Sequence, residues 1–249
     1  MARQKGIIKL KGTIGDISFY KSQDGHLARE KGGVDGSRIA NDPAFVRTRE
    51  NGAEFGAAAA SGKLVRDAFR SMMMTASDGR VTSRLTKVMS DIKNFDGTSA
   101  RGKRIVQVGI GTPTGKATLK GFNFNKRAIL GGVLFKPYAV TAGTGVIDIT
   151  GLVPTNDIAF PAGATHISLR GAYADVDFGG GLYDVQISNT VNLPIDGTST
   201  NVTLTPPAVP SGAGVKLTLL MIEFFQEVNG NQYSLKNGAY NALCIVDVQ

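Results

Sequence analysis

The sequence predicts an α+β fold in which an N-terminal β-hairpin and helices precede a mainly antiparallel β-sandwich, of jelly-roll or immunoglobulin-like type. Three patterns support this prediction. Residues 13–30 alternate around an Asp-Gly turn, residues 42–92 carry apolar stripes at helical spacing, and short β-rich runs recur from residue 105 onward. We therefore expect a basic hairpin-and-helix region over 1–104 and a β-sandwich domain over 105–249.

The first predicted element is a hairpin that turns at Asp24-Gly25. The strand before it, which begins at Thr13, alternates apolar and polar side chains, and the returning strand begins at His26. Asp-Gly favours a type I′ turn because glycine readily adopts positive φ. Glycines at positions 32, 33 and 36 then indicate a loop.

Two helices are predicted after this loop. Asp42 can cap the first helix, and Pro43 fits its first position. One stripe of that helix collects Phe45, Gly52, Phe55, Ala59, Gly62, Val65, Phe69 and Met72. We expect this stripe, with Phe45, Phe55 and Phe69, to pack on the sandwich or on another subunit. The apolar stripe of the second helix is Val81, Leu85, Val88 and Ile92, and residues 94–104 are predicted to be a linker.

The remaining chain is predicted to form eight to ten strands joined by turns. An Asn-Gly pair at 229–230 predicts one long hairpin. The 32 glycines of the 249 residues are nearly twice the usual share of about 7%, as many turns require. The runs predicted as strands are 105–110, 116–124, 129–135, 144–149, 165–176, 182–191, 200–205, 214–227, 232–235 and 241–248.

Charge is divided unevenly along the chain. Residues 1–127 hold 24 Lys/Arg against 11 Asp/Glu, whereas residues 128–249 hold 4 against 9, so the two parts carry +13 and −5. Three interpretations stay open: solvated faces, sequence-independent and salt-sensitive phosphate contacts, or charge pairing between neighbouring copies. The candidate contact residues are Arg3, Lys5, Lys9, Lys11, Arg47, Arg49, Lys63, Arg66, Arg70, Arg80, Arg84 and Lys87.

No pattern of catalytic or phosphate-binding residues stands out. The stretch 109–116 approaches a phosphate-binding loop, but Ile110 replaces a required glycine and Ala117 replaces the hydroxyl residue after the lysine, so a surface turn is expected. His26 and His166 are the only histidines, and no nucleophile motif accompanies them. We expect a protein that is not an enzyme and that uses no cofactor.

No metal site or disulfide is predicted. Asp175, Asp177 and Asp184 flank a Phe-Gly-Gly-Gly run, but their spacing differs from that of an EF-hand, and a plain hairpin loop is expected. Cys244 is the only cysteine and lies in an apolar run, so we expect a buried thiol. No run of 18 apolar residues and no signal peptide is evident, which predicts cytoplasmic synthesis and no membrane partner.

Three segments of the first hundred residues carry a resemblance to a known family. These segments are Lys11–Lys21 (KGTIGDISFYK), Leu27–Val34 (LAREKGGV) and Asn41–Asn51 (NDPAFVRTREN). They resemble a family of uncharacterised proteins from Bacteroidota and their prophages, and the layout is similar to that of small phage structural proteins. The resemblance implies a virion or virion-like assembly, and it carries over no catalytic residue.

The expected function is therefore that of a non-enzymatic, self-assembling structural protein, of the kind found in phage coats, capsids or tails. Its partners would be copies of itself and, where the basic half meets phosphate, nucleic acid. Two alternatives stay open. One is a nucleic-acid-binding accessory protein that does not assemble. The other is a carbohydrate-binding or surface-binding β-sandwich module.

Overall fold

The structure is a computed structural model that describes residues 2–30, 32–236 and 238–249. The chain forms two compact units, residues 1–49 and residues 50–249, each of which is described by itself. The α+β class is confirmed, with an N-terminal hairpin and helices followed by sheets that are antiparallel and sandwich-like. The predicted domain boundary after residue 104 stays a prediction.

The first unit is built on a four-stranded antiparallel sheet. Its strands are β1 (Ala2–Arg3), β2 (Gly12–Ile14), β3 (Ile17–Ser22) and β4 (Gly25–Glu30), in the order β1-β4-β3-β2. The predicted hairpin is confirmed, and Gly25 has a φ of 104°. Helix α1 (Gly36–Asn41) and a 3₁₀ turn (Pro43–Phe45) follow. Asp42 caps this turn by accepting a hydrogen bond from the amide of Ala44.

Seven further helices follow in the described residues, and the first of them begins in the last residues of the first unit. They are α2 (Val46–Ala68), α3 (Arg70–Met73), α4 (Val81–Lys93), α5 (Val106–Ile110), α6 (Pro113–Leu119), α7 (Leu130–Val133) and α8 (Pro154–Asp157). The two helices that the sequence predicts correspond to α2 and α4. The segment 94–104 contains neither helix nor strand, as predicted.

Eight strands of the second unit form two sheets. The strands are β5 (Ala139–Val140), β6 (Ile147–Leu152), β7 (His166–Asp177), β8 (Leu182–Pro194), β9 (Thr200–Leu204), β10 (Val215–Val228), β11 (Asn231–Ser234) and β12 (Ala242–Val248). The larger sheet has the order β11-β10-β7-β8, and β12 also pairs with β10. The smaller sheet has the order β5-β6-β9.

The larger sheet contributes side chains to two separate cores. Leu217, Leu219 and Met221 of β10 pack with the helices, in a core that also contains Leu85 and Phe124. The alternate β10 residues Leu220, Ile222 and Phe224 pack with the smaller sheet. The centre of β10 is therefore apolar on both faces, because a layer covers each side of it.

Three runs predicted as strands are wrong. Residues 105–110, 116–124 and 129–135 contain the short helices α5, α6 and α7 instead. Thr112 caps α6 by accepting a hydrogen bond from the amide of Gly115, a helix start that apolar β-branched neighbours obscured. Residues 121–124 do follow a strand partner, since the amide of Phe124 donates to the carbonyl of Leu243 in β12.

Candidate assembly surface

The N-terminal unit has a sheet but no interior. Among residues 2–30 and 32–49, not one is buried. A sheet normally buries one face against another layer, and a few strands without such a layer are marginally stable. The N-terminal unit thus presents surface that a partner layer would stabilise.

The two faces of this sheet differ in chemistry. The register aligns Phe19 with Ala28 of β4 and Gly12 of β2, and it aligns Ile14 with Ile17. Ile14 is 63% exposed and Ile17 is 46% exposed. We call one side of the sheet the apolar sheet face; it consists of Ala2, Ile14, Ile17, Phe19 and Ala28.

The opposite side of the sheet is polar and basic. It carries Thr13, Ser18 and Tyr20 together with Arg3 and Arg29, and Leu27 is its one large apolar residue. The Arg29 guanidinium carbon lies 5.6 Å from the centre of the Tyr20 ring. Because cations and hydroxyls are well solvated, water can cover this side without a partner.

Charged groups stand at the two ends of the apolar sheet face. Lys21 and its cross-strand neighbour His26 lie at the turn end, and Glu30 lies opposite Ile17 at the other end. Within the described part of the chain, Lys21 and Glu30 form no ion pair. The face therefore has an apolar centre, a cationic end and an anionic end.

Beyond Arg3, which lies in β1, the predicted basic arm is a loop outside the sheet. The Gln4 side chain fixes it, since its Nε2 donates to the carbonyls of Leu10 and Leu27 and its Oε1 accepts from the amide of Leu10. Ile7 is 102% exposed, and Ile8 is also exposed. The three lysines of the arm, Lys5, Lys9 and Lys11, are exposed beside them.

The predicted basic residues of the helices fall into two groups. Arg47, Arg70 and Arg80 are exposed, and their side chains make no hydrogen bond or ion pair with described residues. The others have structural contacts or nearby carboxylates. Lys63 pairs with Asp67 at 2.8 Å, Lys87 pairs with Asp91 at 2.9 Å, Arg49 donates to the carbonyls of Ile39 and Asp42, and Arg66 has a buried Nε.

Arg84 is tied into the helical core. Its Nη2 lies 2.5 Å from Asp78, its Nη1 donates to the carbonyl of Asn123, and its guanidinium carbon lies 5.1 Å from the centre of the Phe122 ring. A surface-contact role for Arg84 stays a prediction, but these contacts describe a residue that joins α4 to the segment 122–124.

The three phenylalanines predicted to pack between subunits occupy different environments. Phe69 is buried in the helical core, where its ring meets that of Phe124 with centres 6.4 Å apart. Phe45 is half-buried beside Arg38. Phe55 is 60% exposed, because the buried side of α2 is Glu54, Ala58, Gly62 and Val65, which shares only Gly62 and Val65 with the predicted stripe inside this helix.

Glu54 is a buried carboxylate that the sequence pattern did not single out. It is 2% exposed, and it accepts hydrogen bonds from Arg104 at 2.8 Å, Lys93 at 2.6 Å and the amide of Gly102. An acidic residue four positions before Ala58, on the small and apolar side of the helix, was the available signal. Glu54 fastens the segment 94–104 to the helices.

A second buried carboxylate, Asp96, stabilises the same segment. Asp96 accepts hydrogen bonds from the amides of Thr98, Ser99 and Ile105. Desolvation raises the pKa of Asp96, but these hydrogen bonds have the larger combined effect and hold it well below its ordinary value. The predicted linker is therefore an ordered connection built on two anions.

Acid is expected to destabilise the second unit through Glu54. The hydrogen bond from Arg104, helped by Lys93, lowers the pKa of Glu54 to about 2. Because the folded pKa lies below the unfolded value of about 4.3, this stabilisation is complete above pH ~5 and is lost as the pH falls toward 2. Urea denaturation at several pH values across this range measures the free energy of unfolding. The Glu54→Gln variant should show a weaker dependence of this free energy on pH. An equally steep curve in the variant would contradict the assignment.

An open cleft of about 590 Å³ lies between α2 and the tip of the β7–β8 hairpin. Leu64, Val106, Phe178 and Tyr183 contribute to its lining. The tip is the plain hairpin loop predicted around Phe178. Gly181 has a φ of 69°, a conformation that favours glycine, whereas a Cβ at position 179 would meet only the mobile side-chain amide of Gln107.

The stretch 109–116 is not the surface turn that was predicted. Gly109 and Gly115 are buried where α4, α5 and α6 meet, and a Cβ on Gly109 would overlap the carbonyl oxygen of Ile92. These glycines thus permit close helix contact, which explains them without a phosphate. Cys244 is buried as predicted, and burial raises the pKa of its thiol to about 12.

His166 and Asp175 each lie beside one ionisable side chain. His166 lies 3.6 Å from Glu227, and Asp175 lies 2.8 Å from Lys216. In the described ranges, no three His, Cys, Asp or Glu side chains are grouped as a metal ion would require. Over the same ranges, no helix has the length and apolar character needed to cross a bilayer.

Comparisons with known proteins add no family to this description. No protein-family model, no curated protein and no solved structure matches the chain significantly.

Proposed function

We propose that this protein is a non-enzymatic structural subunit that assembles with copies of itself through the apolar sheet face of its N-terminal unit. The observation that carries the proposal is a four-stranded sheet without a single buried residue in the described part of its unit. A layer that lacks a core gains most by packing against a second layer.

Charge favours a second copy as that layer. When two such sheets pack face to face about a two-fold axis that lies between them and runs perpendicular to their strands, Lys21 and His26 of one copy lie over Glu30 of the other, and the reverse pairing forms at the far end. A surface of this kind is self-complementary, which is the requirement for an isologous interface. The apolar centre would supply affinity, and the charged ends would set the orientation.

The resemblance to small phage structural proteins suggests where such an assembly belongs. We propose a coat, capsid or tail component of a virion, with Arg47, Arg70 and Arg80 free to meet nucleic acid or the acidic C-terminal half of a neighbouring copy. The side chains of these three arginines make no hydrogen bond or ion pair with described residues, which also favours the second candidate function, nucleic-acid binding without assembly.

Two neighbouring substitutions on β3 test the interface. Ile17→Glu places a charge on the apolar sheet face and should weaken self-association by on the order of tenfold or more, because truncated or charged interface anchors have large effects. Ser18→Glu, on the opposite side of the same strand, should leave it unchanged. Sedimentation velocity of the full chain measures both. Equal behaviour of the two variants would contradict the proposed face.

A further inference from the structure

A cluster of polar side chains lies on one side of the larger sheet in the second unit, beyond the residues that pack with the helices. Strands β7, β8, β10 and β11 all contribute to it. We call it the polar cleft, and it consists of Ser168, Arg170, Thr190, Asn192, Glu223 and Gln232.

Strand register brings these side chains to one side. Ser168 lies directly between Asn192 of β8 and Glu223 of β10, and Arg170 lies opposite Thr190. Side chains of directly opposed residues project from the same face of an antiparallel sheet. The cluster is therefore contiguous across three adjacent strands.

Sheet curvature makes this surface concave. Nδ2 of Asn192 donates to Oε1 of Gln232 at 2.9 Å, and Nε2 of Gln232 donates back to Oδ1 of Asn192 at 3.1 Å. Their strands, β8 and β11, are separated by β7 and β10, a spacing of roughly 14 Å in a flat sheet. Only a strongly curled sheet allows this reciprocal amide pair, which therefore shows that the sheet is concave on this side.

The groups at the centre of the cleft have hydrogen-bonding capacity that the described protein does not use. Glu223 and Ser168 are each 8% exposed, yet neither side chain makes a hydrogen bond with a described residue. The contact of Glu223 with Arg170 is 3.5 Å long, beyond a good hydrogen bond. No polar atom of either side chain is fully enclosed without a partner, so these atoms stay open to solvent and within reach of a ligand.

We propose that the polar cleft binds a neutral saccharide. Adjacent ring hydroxyls can donate to the Glu223 carboxylate and accept from the Arg170 guanidinium at the same time. Glu223, with Glu227 beside His166, disfavours an anionic ligand, and Arg170 disfavours a cationic one. Phe225 lies opposite His166 on the same side of the sheet and offers an apolar surface to the C–H face of a sugar ring. This proposal is independent of the assembly interface.

A glycan array that carries neutral, sialylated and sulfated oligosaccharides, probed with the full chain, tests the proposal. We expect retention of neutral glycans, at least tenfold weaker after Thr190→Arg, which fills the cleft from an exposed position, and weaker after Glu223→Gln. Tyr233→Arg, on the other side of the sheet, should have no effect. Thermal unfolding confirms that each variant is folded. Absence of neutral-glycan binding, retention of charged glycans alone, or insensitivity to Thr190→Arg would overturn the proposal.

Discussion

Replacing Glu54 by glutamine is expected to lower the free energy of unfolding of the second unit by about 3 kcal/mol. The substitution keeps the shape of the side chain but leaves Lys93, which is 11% exposed, and Arg104 without their shared anion. Removing one member of a buried ion pair is costly because the remaining charges stay desolvated. The amide of Gly102 also loses a charged acceptor.

Glu50 provides a matched control for this substitution. It also lies on α2 and pairs with an arginine, Arg101, at 3.1 Å, but the two side chains are 29% and 51% exposed. Solvent-exposed pairs contribute at most about 1 kcal/mol, so Glu50→Gln should change stability little. Urea denaturation of both variants gives the comparison. Equal losses would show that Glu54 acts as an ordinary surface charge.

Replacing Gly109 by alanine is expected to cost about 3 kcal/mol or more, since the new methyl group has no space. The Cβ would overlap the carbonyl carbon and oxygen of Ile92, and it would also press on the backbone of Lys93. Backbone atoms cannot rotate away as the end of a flexible side chain can. Helices α4 and α5 would have to separate, and the helical core would lose contacts that bury Ile92 and Ile110.

Substitution of Gly52 on α2 by alanine is expected to have the opposite effect on stability. No heavy atom lies within 4 Å of the position its Cβ would take, so alanine there meets open space. Because alanine has the higher helix propensity, Gly52→Ala should stabilise the protein by roughly 0.5–1 kcal/mol. Thermal unfolding of both variants measures the contrast. A neutral Gly109→Ala variant would mean that α4 and α5 do not approach as closely as described.

The elements that the sequence predicts well are those in which local pattern and tertiary environment agree. The hairpin at Gly25, helix α4 and the strands from β7 onward follow alternation or helical spacing directly. The runs 105–110 and 129–135 were wrongly predicted to be strands because they are rich in β-branched residues. In the structure these residues occupy short helices in the core, where packing overrides propensity. The predicted inward face of α2 was partly wrong because the polar residue Glu54 is buried and Phe55 is exposed.

The candidate surfaces were less predictable, since they depend on three-dimensional neighbours. Alternation identifies Ile14 and Ile17 as one face of a strand, but it cannot say that no layer of the described unit covers that face. Charge totals place the basic residues in the first half of the chain, yet they do not separate Arg80, which is unpaired, from Arg84, which joins α4 to residues 123 and 124. The polar cleft requires sheet curvature that no local pattern encodes.

Sedimentation velocity of the full chain, freed of nucleic acid and examined from low to high salt, tests self-assembly most directly. An interface with an apolar centre should persist in high salt, where exposed charge pairs and phosphate contacts are screened. The account predicts discrete oligomers whose population grows with protein concentration at every salt concentration. A monomer at all concentrations and salt conditions would contradict it.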